Sequence, residues 1–118
     1  MDLTRKLQLT PGRSVAIVNA PADAALELAD HPVADRAGDA DAVIVYCTNQ
    51  AELERLRDDV ISPARRDALT WVAYPKARQL GTDLNRDVLA ELVKAHGVRP
   101  VRQVSLDDVW SALRLRPA

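Results

Sequence analysis

Lys76 and Asp83 bracket a polar loop that follows an apolar run, and an ammonium facing a carboxylate across such a loop could hold an anionic ligand. Tyr46 and Tyr74 close two apolar runs, where they could stack on a ring and donate hydroxyl hydrogen bonds. The plainer account is that they cap a core with their hydroxyls in water, as amphipathic aromatics commonly do. Cys47 follows Tyr46 and precedes a helix start, a position where a helix dipole favours thiolate. A catalytic thiolate also needs a base, and the only histidines are His31 and His96. A small buried apolar side chain is the better reading of Cys47.

Other constellations carry less. Asp107 and Asp108 are adjacent, so in extended backbone they face opposite ways, and a hairpin turn with a packed Trp110 accounts for them. Arg99, Arg102, Arg114 and Arg116 gather near the end of the chain as a basic strip. A nucleic-acid surface would want a more basic domain with interleaved exposed aromatics. Ser14 and Ser111 lack the glycine pattern of a nucleophile elbow. Two histidines and one cysteine offer no metal-ligand spacing, so no metal is expected.

At 118 residues the chain fits one domain, residues 1 to 118, able to bury roughly two-thirds of its unfolded surface. Hydrophobic residues make up 47% and charged residues 28%, ordinary for a globular chain. Aromatics are only 3%, with no Phe, so the core must be Val, Leu, Ile and Ala. A net charge of −1 gives no overall attraction to phosphates or anionic lipid. No apolar run approaches the roughly 20 residues of a membrane span, and no signal-peptide core follows Met1. A lone Cys47 cannot form an internal disulfide, and a cytoplasmic location is the simplest expectation.

The elements that would position these residues can be read from periodicity. Ser14 to Val18 and Ala42 to Cys47 are apolar on both faces, as expected of parallel strands covered on each side. Ala68 to Tyr74 is a third such strand. A short helix is expected from Pro21 to about Asp30, ended by Pro32. Asn49 with Glu52 resembles a capping box, and the helix after it turns Leu53, Leu56 and Val60 inward until Ser62-Pro63 breaks it. Thr82 is expected to cap a long helix from Asp83, with Leu84, Val88, Leu89, Leu92 and Val93 apolar and Gly97 as its stop. In the tail, Val109, Ser111, Leu113 and Leu115 alternate with Trp110, Ala112, Arg114 and Arg116. That pattern predicts an antiparallel strand near the sheet edge, paired with Val98 to Ser105 through Leu106-Asp107-Asp108. The sum is an α/β three-layer sandwich, its sheet mostly parallel and ending in an antiparallel β-hairpin.

The four glycines are Gly12, Gly38, Gly81 and Gly97. None falls in the turn after the first strand, Asn19-Ala20-Pro21-Ala22-Asp23, where an α/β domain would cradle a phosphate or nucleoside. Even so, the block from Leu69 to Arg116 resembles the last half of a class I methyltransferase domain, a Rossmann-like fold. That family ends in a strand, a helix and a hairpin whose last strand is antiparallel. Asp41 to Tyr46 is similar to its central strand. Its donor-binding Gly-x-Gly turn is absent here, and Asp35, Asp39 and Asp41 are equal candidates for its acidic residue. The chain also resembles a set of short actinobacterial proteins to which no activity is assigned. The matching segments are Leu9-Thr10-Pro11-Gly12, Ile61-Ser62-Pro63, Leu69 to Lys76, Thr82-Asp83-Leu84 and Val109 to Arg114.

The resemblance implies a truncated methyltransferase-like domain without the residues for group transfer. A non-catalytic binding or interaction module, with no cofactor and with homodimerisation as one way to cover a shortened sheet, is the leading expectation. A minimal transferase-like enzyme acting on a small molecule is the alternative. It would use the crevice of Tyr46, Cys47, Tyr74, Lys76 and Asp83 at the carboxyl ends of the parallel strands. A weak nucleic-acid binder working through the terminal arginines is the third.

Overall fold

A computed structural model describes residues 7–9, 13–20, 40–76 and 79–118. The expected helix from Pro21 to about Asp30, Thr10-Pro11-Gly12 of the first matching segment, and Asp35 and Asp39 lie outside the described residues.

Three continuous apolar runs become the parallel strands β1 (Val15–Val18), β2 (Ala42–Tyr46) and β3 (Leu69–Pro75). Val15 pairs with Ala42, and Ala42 with Leu69, so their carboxyl ends share one edge of the sheet. Between β2 and β3 the chain forms helices α1 (Gln50–Arg55) and α2 (Arg57–Arg65), and after β3 comes α3 (Arg86–Lys94). The hairpin β4 (Val98–Ser105) and β5 (Trp110–Pro117) completes a mixed five-stranded sheet in the order β1-β2-β3-β5-β4. β5 runs antiparallel to both neighbours and lies inside the sheet, leaving β4 at the edge among the described strands. The architecture is α/β.

Alternation along the strands divides the core in two. Val43, Val45, Cys47, Val72, Tyr74, Leu113 and Leu115 face the side packed by Leu53, Val60, Ala64, Leu89 and Val93 of the helices. Ala42, Ile44, Tyr46, Trp71, Ala73, Trp110 and Ala112 face the other side, joined by Leu7 and Leu9. Trp71 is fully buried there, and its indole N–H donates to the Leu7 carbonyl at 2.9 Å, which satisfies its one polar atom. Thr70, also fully buried, donates its hydroxyl to the Ala68 carbonyl at 2.9 Å. All the described helices pack on the first side. None of them is long and apolar enough to cross a membrane.

Three expectations are corrected. Ser62-Pro63 does not break its helix. The break is a kink at Leu56 (φ −100°, ψ 12°), and Pro63 lies inside α2. Burying Val60, Ile61, Pro63 and Ala64 against the sheet outweighs the one ladder hydrogen bond that proline forfeits. Thr82 does not cap the long helix. Its hydroxyl accepts from the Leu84 N–H at 3.0 Å, in a turn that drops Leu84 into the core. Asn85 is the cap, accepting from the Val88 N–H at 2.9 Å, so α3 begins at Arg86. Leu92, expected on the apolar face, is 37% exposed. Gly97 does stop the helix, at φ +81°, where a side chain would be strained.

Candidate functional site

The carboxyl ends of β1 and β2 are where a ligand would sit in a sheet of this kind. Asn19, directly after β1, has φ +60°. Asparagine reaches this left-handed region more readily than any residue but glycine, so the turn is made without one. Its carboxamide N–H donates to the Tyr46 carbonyl at 2.9 Å, bridging the two strand ends. The Glu52 carboxylate accepts from the Thr48 N–H at 2.7 Å, while Asn49 accepts from the Glu52 N–H at 2.9 Å. The Thr48 N–H is the main cause that holds the Glu52 carboxyl below its ordinary range, with hydrogen bonds from the Thr48 and Asn19 side chains adding to it. Asp83 reaches in from the loop after β3. Its carboxylate takes the Gln50 N–H at 2.8 Å, and its carbonyl takes the Gln50 carboxamide at 3.2 Å. Carboxylates and carboxamides of this chain thus occupy the positions where a bound anion would find its donors.

The five residues expected to form a crevice are dispersed around this end of the sheet. Tyr46 pairs in register with Ala73, so it and Tyr74 project from opposite faces and cannot hold one ring between them. Tyr46 is buried, packed edge-on against Trp110 at 5.0 Å between ring centroids. Burial, reinforced by the Asp107 charge, pushes its phenol up to about 12. Tyr74 lies on the helix side, where its hydroxyl accepts from the Gln103 carboxamide at 2.9 Å. Burial raises its phenol too, against the Arg86 charge and the Gln103 hydrogen bond. Lys76 turns to the hairpin and donates to the Ser105 hydroxyl at 2.8 Å. Cys47 is fully buried, its thiol pushed up to about 12 by burial first and the Glu52 charge second. That thiol stays protonated at neutral pH and packs as an apolar group.

The remaining candidates take structural places. The Asp107 carboxylate accepts from the N–H groups of Val109 at 2.8 Å and Trp110 at 2.7 Å, so it shapes the hairpin turn. Ser14 and Asp41 exchange two hydrogen bonds at the amino ends of β1 and β2. Ser111 is buried in β5. His96 borders an apolar cleft of about 160 Å³ between α1–α2 and α3, lined also by Leu53, Ile61 and Leu92. His31 lies outside the described residues. The sequence marks Glu52 only as a helix cap and Asn19 only as part of a glycine-free turn; the signal for Asn19 was an asparagine standing directly after an apolar run.

No family model, no curated protein and no solved structure matches this chain.

Proposed function

We propose that this chain is a non-catalytic, methyltransferase-like α/β domain that serves as a binding or interaction module. The methyltransferase-like part of the reading is supported by the run β3, α3, β4, β5, with an antiparallel β5 between β3 and β4. The observation that carries the non-catalytic part is the strand-end network. Asn19, Glu52 and Asp83 direct hydrogen bonds to the Tyr46 carbonyl and the N–H groups of Thr48 and Gln50. A nucleoside entering there would have to displace hydrogen bonds already made, and burial keeps the nearby Cys47 thiol protonated.

Thermal unfolding tests this reading, with S-adenosylmethionine, S-adenosylhomocysteine and adenosine added separately. The expected outcome is a midpoint unchanged by any of them. A midpoint that climbs with ligand concentration would overturn the reading, because a ligand that binds only the folded state must stabilise it.

A further inference from the structure

We infer that the arginine-bearing face of the β4–β5 hairpin is a binding site for a compact anion carrying two linked phosphates. It lies toward the amino end of β3, since Arg114 pairs with Trp71, and so away from the strand-end network.

The case begins with a bulge. Arg99 and Arg102 are three residues apart, which in a regular strand would send them to opposite faces. Between Pro100 and Arg102 the register slips by one residue, leaving Val101 unpaired, and both arginines come to one face. Arg99 then lies directly opposite Arg116, and Arg102 directly opposite Arg114. Like charges placed directly across a ladder destabilise it, and here two such pairs are stacked side by side. The available compensation is partial. Asp67 takes the Arg116 guanidinium in two hydrogen bonds of 3.1 Å. Gln8 accepts from one arm of Arg114 at 2.6 Å, while the Arg114 Nε–H is buried with no acceptor. Among the described residues neither Arg99 nor Arg102 has a hydrogen-bonding or ionic partner. Burial first, then the Arg116 charge and, more weakly, Arg13 and Arg102 disfavour the Arg114 cation, and the Asp67 charge offsets this only in part.

Protection of an exposed edge explains part of this pattern. Charged side chains, a proline and a bulge on β4 all deter strand pairing with another molecule. It does not explain why the facing positions on the interior strand β5 are also arginine, where an acid would keep the edge charged and remove the repulsion. Local rules broken with only partial internal compensation point to a function, and an anion bridging the four guanidiniums supplies what is missing.

The size of the patch selects the ligand. Directly opposed positions are about 5 Å apart and successive same-face positions about 7 Å, so the quartet spans a footprint suited to a diphosphate. Beyond Asp67 lies a polar hollow whose Asp41 breaks the positive surface. Tyr46, Trp71, Tyr74 and Trp110 are all buried, so no aromatic is offered for base stacking along an extended nucleic-acid strand.

The test is thermal unfolding of the full chain at low ionic strength with inorganic pyrophosphate or orthophosphate, for the unaltered protein and for Arg102→Glu and Arg99→Gln. Pyrophosphate at ten times its Kd is expected to raise the midpoint by about 5 °C, with a smaller rise from orthophosphate. Arg99→Gln is expected to weaken pyrophosphate binding at least about tenfold. Arg102→Glu keeps a charge on the edge, so its ligand-free midpoint should equal or exceed that of the unaltered protein while the pyrophosphate response disappears. An undiminished response in both variants would overturn the assignment. So would no response in the unaltered chain, or binding of single-stranded RNA without binding of pyrophosphate. Pyrophosphate carries no nucleoside, so none of these results bears on the strand-end reading.

Discussion

Cys47 and Tyr46 are sequence neighbours on opposite faces of the sheet, yet burial moves both in the same direction. Each holds its proton in the fold up to about 12, against ordinary values of 9.0 for the thiol and 10.0 for the phenol. Below about pH 8 folded and unfolded chains both keep these protons, and stability is unaffected. Above it the unfolded chain releases them first, so the fold loses stability as pH rises toward 12, at up to ~1.4 kcal/mol per pH unit for each group. Urea unfolding midpoints are therefore expected to fall between pH 9 and 11, and Cys47→Ala should flatten the start of that decline. A decline that the substitution leaves unchanged would show that the thiol ionises freely in the fold. The burial of Cys47 was readable in its apolar run. The left-handed turn at Asn19 was not, because no glycine marks it and asparagine is common in ordinary turns as well.

Caps explain most of what could and could not be read about the helices. Asn49 and Glu52 are spaced as a capping box, and the structure puts both to use at the start of α1. Thr82 and Asn85 are both good cap residues three positions apart, and nothing local separates them. What decides is Leu84, 2% exposed, which enters the core ahead of the helix and moves the start to Asn85. Asn85→Ala is thus expected to cost about 1 kcal/mol in chemical denaturation, and Thr82→Ala clearly less. The reverse order would mean that the helix starts at Asp83. The Pro63 position failed for a related reason: proline's penalty is local, whereas the burial that outweighs it is tertiary. The strands were more legible, because β2 and β3 are apolar on both faces and no other element of that length reads so.

At the scale of the whole molecule, the sheet has one edge whose chemistry is plain. β4 carries Arg99, Pro100 and Arg102 with a bulge between them, so it resists adding a strand from a second copy. Replacing Arg99, Pro100 and Arg102 by Thr, Val and Thr is expected to produce concentration-dependent association by light scattering. A variant that scatters like the unaltered protein would show that those residues do not guard the edge. The hairpin also sets an order of events during synthesis. β5 is made after β4 yet lies between β3 and β4. Until β5 has emerged from the ribosome, β3 has no neighbour on that side and β4 has nothing to join, so the nascent chain carries an open apolar seam.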